Sequence, residues 1–413
     1  MTTTGEQSGT HTSGAVRIDP QTVRRTVRPP ADDALVTALA ATAAAAARRA
    51  LRGDRPEGTA DAAAAPAPPT VPAATTVLAD RPDGTVVRVG AVVAKAHAPG
   101  TDAAALAIRI AVAAHPLLRG ILLPPLPGPP APGPPAPGPP LPGAAQDPPA
   151  GGTGAPGAPG RQGPPGLLVQ DGDPRVLATA PLVPPAPDGG AVRGRQVTAW
   201  PYGVPVDRHD PGAAPWAEAA VLLARLHTVP AAALGPLPPM RGPAKAALAV
   251  ARLRGVADSA AGRTVRRAWR RLPAWARDEA PHPGPAALCH GDLHLGQLVR
   301  HPAPDGDWLL IDVDDLGTGP AAWDLARPAM WFAAGLLAPD AWAVFLAAYR
   351  AAGGPAVPES GDPWGQLDVP ARALAVQTAA IGVAKAARDG RELDEAESEL
   401  VATCARIAQL GPS

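Results

Sequence analysis

The sequence has little from which to build a disulfide scaffold, a basic interface or a membrane anchor. Cys289 and Cys404 are the only cysteines among 413 residues, too few for a disulfide framework and in keeping with a reducing compartment. Basic and acidic residues number 37 each, so the formal net charge is zero. No basic field invites nucleic acid or an anionic membrane surface. The longest apolar run, Ala34 to Ala47, follows Asp32 and Asp33 rather than a basic segment and is too short to cross a bilayer. No secretory signal is evident, and the expected compartment is the cytoplasm. Aromatic residues reach only 3% and charged residues 18%, which argues against counting every stretch as folded core.

Proline and glycine are abundant instead, 57 and 44 residues, and their clustering divides the chain. Residues 1–30 are polar and read as a disordered tail. Residues 31–70 read as an Ala-rich helix and a linker. The helix is opened by Asp32-Asp33 and ends near Arg52-Gly53, acids first and arginines last, as the helix dipole favours. Residues 71–203 are strand-rich. Thr76-Val77-Leu78, Thr85 to Val89 and Val92 to His97 alternate with turns at Pro82-Asp83-Gly84 and Gly90, and further strands are predicted at 175–180 and 196–200. A Pro/Gly-rich insertion, 124–166, interrupts them. Its glycines recur every five residues from Gly128, which excludes a collagen helix. Residues 204–413 read as helical, with apolar spacing at 216–227, 244–254, 265–275, 323–338, 341–351, 369–388 and 393–410. An α+β fold with a small β-rich lobe and a larger helical lobe, joined near Trp200 to Val204, is the expected architecture.

The chemistry-bearing residues gather in one stretch. His290-Gly291-Asp292 sits at a tight turn, with Gln297 five residues after the aspartate. A strand, Trp308 to Ile311, delivers Asp312 at its end, and Asp324 opens a helix twelve residues later. A carboxylate on a loop, an amide and a carboxylate at a strand end are the parts that orient a hydroxyl and hold a metal–nucleotide. Lys95 lies inside an apolar strand, where a charge needs a partner or a ligand.

His-Gly-Asp-Leu-x-x-x-Gln, Ile-Asp-x-x-Asp and Asp-Leu-Ala at these spacings resemble the aminoglycoside phosphotransferase and choline kinase group. The Leu-His-Leu-Gly-Gln ending is also similar to bacterial maltokinases. The resemblance covers roughly residues 75–410 and implies a bilobal protein-kinase-like fold using ATP and Mg2+ to phosphorylate a hydroxyl of a small molecule. It implies no nucleic-acid or membrane partner. Carried over by position, Asp292 is the catalytic base, Gln297 and Asp312 are the Mg2+ ligands, and Lys95 contacts the α- and β-phosphates. Main-chain groups around Trp200 and Tyr202 meet the adenine. His290 braces the loop, and Asp324 caps and ties its helix. Asp314 and Asp315 read as solvated turn acids, and Cys289 as a packed thiol.

Four departures accompany the resemblance. Gln297 stands where most of the group has Asn, and Pro320 where an Asp precedes the Asp-Leu-Ala helix. No Gly-rich loop is visible at 81–84. The only acid between Lys95 and Gly120 is Asp102, a short and early replacement for the glutamate that pairs with the lysine. These leave a catalytically weak or dead nucleotide-binding module as the alternative. His290-x-Asp292-x-His294 raises a metal-dependent hydrolase as a less favoured one. The acids Glu392 to Glu399 could attract a polycationic acceptor, but a solvated helix start explains them as well.

Overall fold

The computed structural model describes residues 33–53, 74–81, 83–127, 192, 194–256 and 258–410. The expected tail, the linker, most of the Pro/Gly-rich insertion and the strand at 175–180 lie outside the described residues.

The smaller lobe is a four-stranded antiparallel sheet in the order β1-β2-β3-β4, formed by β1 (Thr75–Arg81), β2 (Gly84–Val89), β3 (Val92–His97) and β4 (Val197–Pro201). Gly90 enters the two-residue β2–β3 connection with a φ of 60°, a conformation that costs a residue without Cβ little. Preceding the sheet is α1 (Asp33–Gly53). The sequence suggested a separate element, but α1 belongs to this lobe. Leu35, Leu39, Ala43 and Ala46 recur at helical spacing and pack on Val87, Val92, Ala94, Ala96 and Val197 in one buried cluster. The alternation along β2 and β3 leaves that face needing cover, and an Ala-rich helix lies close enough to provide it.

After β3 comes α2 (Ala103–Ala114). Its N-cap is Asp102, whose carboxylate accepts from the Ala104 and Ala105 amides. The α2 helix carries one buried cation, Arg109, which reaches across to the larger lobe and donates to the Leu316 carbonyl at 2.7 Å. The two lobes meet again through Val204–Pro205 (β5), which pairs with β7 (Leu298–His301). The expected junction near 200–204 falls at this link.

The larger lobe packs α3 (Trp216–Thr228), α4 (Gly242–Arg252), α5 (Ala260–Trp269), α6 (Ala322–Ala333), α7 (Pro339–Ala351), α8 (Trp364–Arg388) and α9 (Glu395–Gln409) around one large apolar cluster. Short strands sit against them. β6 (Ala287–Cys289) pairs with β9 (Gly317–Gly319), and β7 forms a hairpin with β8 (Asp307–Leu310). Three helices depart from the sequence-based bounds, α6 by ending at Ala333 rather than near 338. α5 stops at Trp269, and the chain turns before Pro273, which lacks the amide a continuing helix needs. α8 starts five residues early and holds Pro370 inside it, where the burial of Leu367, Pro370 and Ala371 offsets one missing backbone bond. No helix among the described residues is long and apolar enough to cross a membrane.

Candidate active site

β6 ends at Cys289 and releases the loop that carries Asp292. Gly291 takes a φ of 85°, and a Cβ there would collide with the Asp315 carbonyl oxygen, so only glycine fits the turn. The loop is held from beneath by Asp324, 1% exposed. Its carboxylate accepts from the His290 amide at 2.6 Å, the Gly291 amide at 2.7 Å and His227 Nε2 at 3.1 Å. His227 Nδ1 lies 2.7 Å from the Tyr349 hydroxyl. Asp324 was expected to cap its own helix. The start of α6 has no side-chain cap, and the carboxylate serves the loop instead. His290 braces the loop as expected, through Nε2 to the Ile311 carbonyl at 2.8 Å.

Both oxygens of Asp292 are engaged. Lys245 Nζ sits 2.7 Å from Oδ2 and Arg327 Nη2 2.5 Å from Oδ1. Burial disfavours the charged form of Asp292, yet Lys245 first and Arg327 second outweigh it and hold the carboxyl below the usual carboxylate range. A carboxylate this acidic is a poor proton trap and a good orienting acceptor. Lys245 also reaches Asp315 Oδ2 at 2.6 Å, and Arg327 Nε donates to the Leu293 carbonyl at 3.0 Å. Neither cation was among the sequence-predicted site residues. Their signal was faint: Lys245 is one charge in an Ala-rich helix, and Arg327 directly follows the Asp-Leu-Ala triplet.

Asp312 follows β8 with a φ of 66°, a left-handed conformation that aspartate tolerates at modest cost. Lys95, from β3 of the smaller lobe, reaches Asp312 Oδ1 at 2.6 Å and Asp314 Oδ2 at 3.0 Å. Burial opposes the ammonium, but Asp312 and then Asp314 overcome it and raise its pKa above the ordinary lysine value. The missing helix glutamate is thereby explained. Asp102 is spent on its cap, and the second carboxylate on Lys95 comes from Asp314, two residues past Asp312. Asp314 also faces His97 Nδ1. Asp315 is 7% exposed and holds Lys245. The reading of both as solvated turn acids is therefore corrected: each neutralises a cation that another element delivers.

Gln297 is buried, with its amide nitrogen 3.5 Å from Asp312 Oδ2. A half-turn of the amide brings its oxygen to the same place. Two hard-oxygen side chains edge to edge suit Mg2+ in donor type. Asp315 Oδ1 accepts no hydrogen bond and faces Arg241 Nη1 at 3.6 Å.

At the lobe junction, Trp200 is nearly buried, and its indole N–H donates to Thr198 Oγ1 at 2.8 Å. The Tyr202 amide donates to the Ala91 carbonyl, the Tyr202 carbonyl faces His301 Nδ1 at 3.2 Å, and Arg88 lies 3.4 Å over its ring. The backbone hydrogen-bonding groups of Tyr202 are thus already in use.

The hydrolase alternative finds no support in the geometry. His290 Nε2 and both Asp292 oxygens have the partners given above, His290 Nδ1 is buried without a hydrogen-bond partner, and His294 Nδ1 accepts from the Gly296 amide. Among the described residues, the His/Cys/Asp set whose ligating atoms converge is a different one, His227, Cys289 and Asp324, fully buried and hydrogen-bonded within the protein. Burial, and Asp324 after it, push the Cys289 thiol well up, as a packed and unreactive thiol requires. Two of the acids of α9, Glu397 and Glu399, are likewise engaged within the protein. Glu397 closes a capping box with Asp394 and pairs with Arg391, and Glu399 pairs with Arg406.

Residues 175–364 match the family model described as "Phosphotransferase enzyme family". No curated protein matches the chain. Among solved structures, the chain is similar to a choline/ethanolamine kinase family protein from Mesorhizobium loti (15% identity, TM-score 0.46, covering 88% of this chain and 94% of that one). It is also similar to a choline kinase from Streptococcus pneumoniae (12%, 0.45, 81% and 92%) and to a macrolide 2'-phosphotransferase from Brachybacterium faecium (17%, 0.37, 82% and 93%).

Proposed function

We propose that this chain, whose residues 175–364 match the phosphotransferase family model, acts as a member of that family and transfers the γ-phosphoryl group of Mg-ATP to a hydroxyl of a small molecule. One observation carries this reading: Lys95 of the sheet lobe meets Asp312 of the helical lobe at 2.6 Å. That contact brings together, from the two lobes, a cation suited to phosphate and a carboxylate suited to a metal ion. Asp312 and Gln297 would hold the Mg2+, which would neutralise phosphate charge. Lys95 would contact the α- and β-phosphates. Asp292 accepts a hydrogen bond from the acceptor hydroxyl and aims its oxygen at phosphorus. Orientation is its main contribution, because a loose phosphoryl-transfer transition state asks little of a base. Adenine would lie beside the lobe junction near Trp200 and Tyr202 without hydrogen bonds to the Tyr202 main chain, whose amide and carbonyl are already bonded.

The acceptor class is left to the transfer panel. Asp292 is flanked by Lys245 and Arg327, and Asp315 also pairs with Lys245, so two carboxylates offset the two cations and local charge favours neither a neutral nor a cationic acceptor.

The test is transfer from labelled ATP to a panel of sugars, amino alcohols and aminoglycosides, by the native protein and by Asp292→Ala. Transfer to one class of these hydroxyl compounds that vanishes in the variant is the expected result. Equal labelling by both proteins would remove Asp292 from the mechanism. Absence of both labelling and nucleotide binding would end the kinase reading.

A further inference from the structure

The loop after Asp292 runs Leu293-His294-Leu295-Gly296 and offers no fixed positive charge. Burial first and Arg327 second lower the His294 pKa to about 4, so it is neutral near pH 7. Lys95 is committed to the far side of the cleft by Asp312 and Asp314. The loop itself therefore leaves unmatched the charge that shifts as a phosphoryl group passes towards a hydroxyl on Asp292. Two cations from other elements touch Asp292, and they are built differently. Arg327 is 15% exposed and doubly tied, to the carboxylate and to the Leu293 carbonyl, which makes it a brace. Lys245 is 29% exposed, and its bonds go to Asp292 and Asp315. An ammonium has three donors, so one N–H remains for a ligand oxygen.

The start of α4 is fixed in place for this. The Arg241 amide donates to the Asp315 carbonyl at 3.0 Å, and Gly242 packs so tightly on the Trp323 indole that no Cβ would fit. Lys245, one turn further along, is thus aimed between the acceptor-orienting carboxylate and the loop that begins with Asp312. That gap is where the transferred group must pass if the proposed function holds, and the inference rests on that reading.

We propose that Lys245 is a catalytic residue, delivered by a helix rather than by the catalytic loop, whose ammonium contacts the γ-phosphoryl group of ATP during transfer. In the step, the acceptor oxygen forms a bond to the γ-phosphorus. The bond from that phosphorus to the β,γ-bridging oxygen breaks, and its electron pair leaves on ADP. The hydroxyl proton passes to Asp292 and then to solvent. Lys245 remains protonated throughout and offsets charge on the equatorial oxygens.

The test compares Lys245→Met and Lys245→Arg with the native protein, with Asp315→Asn as the control for a purely bracing role. Calorimetry with Mg2+ reads the affinity for ADP and for the β,γ-imido analogue of ATP, and labelled-ATP transfer reads kcat. Lys245→Met should weaken the analogue about tenfold, leave ADP within about twofold, and lower kcat on the order of 100-fold. Lys245→Arg should recover part of the loss, and Asp315→Asn should spare the preference for the analogue over ADP. Equal weakening of both nucleotides, or no change in either, would overturn the assignment while leaving the kinase reading intact. A native protein that binds neither nucleotide would overturn both.

Discussion

Asp324→Asn tests the most heavily used buried group near the site. The side chain keeps its size, so packing is unchanged and only hydrogen bonding is altered. Three donors converge on the two oxygens of Asp324: the His290 and Gly291 amides and His227 Nε2. Asparagine has one acceptor oxygen, and its NH2 must point at either Gly291 N–H or the pair formed by His290 N–H and His227. Whichever way it turns, at least one buried N–H loses its partner, at about 1–3 kcal/mol. The remaining bonds lose charge assistance, at roughly 0.5–1 kcal/mol each. The sum is about 3 kcal/mol, a fall in Tm of roughly 4 °C for a chain of this size. Urea or thermal unfolding of both proteins measures it, and nucleotide transfer is followed in parallel because the same amides set the position of Asp292. Tyr349→Phe, which deletes the hydroxyl bonded to His227 and to the Ala356 amide, should cost less, about 1–2 kcal/mol. A stability change below about 0.5 kcal/mol for Asp324→Asn would refute the view that this carboxylate holds the loop.

Three further outcomes are expected. Gly291→Ala forces a side chain into a φ of 85° against the Asp315 carbonyl; it should cost at least about 2 kcal/mol and abolish transfer, both read on the purified variant. Leu39→Ala opens a hole under the sheet, since Leu39 is fully buried on α1. It should cost about 2–5 kcal/mol, and calorimetry should show the loss in the sheet lobe, with nucleotide binding weakened; an unchanged melt would detach α1 from that lobe. Acid should weaken the native protein through His294, whose pKa burial and Arg327 lower to about 4. The unfolded chain takes up this proton near pH 6.5 and the folded one does not, so the contribution is complete above pH 6.5, declines down to about pH 4 and is flat below. The full difference is up to about 3 kcal/mol. Urea midpoints at pH 7, 5.5 and 4.5 should show a slope that His294→Asn removes.

The sequence by itself determined what depends on near neighbours. Alternation placed β1 to β3, and apolar spacing placed α3 to α9, because those periods reflect one buried face per element, although α5, α6 and α8 each miss a predicted bound by five or six residues. The loop-and-strand motif located Asp292, Gln297 and Asp312, since a tight glycine turn and a short apolar strand are local events. Tertiary structure alone decided the partners of those residues. Lys95 and Asp312 are 217 residues apart, Lys245 and Asp292 are 47 apart, and Arg327 and Asp292 are 35 apart. No local pattern encodes such pairs, because each depends on how whole helices and a sheet pack. For the same reason Asp102 was legible only as an acid near Lys95. Packing made it a helix cap, gave its expected place to Asp314, and turned Asp324 from its own helix to the loop. The helix α1 was visible as a helix, but not as the cover of the sheet. That role was set by the bare face of the sheet, which exists only once the strands have paired.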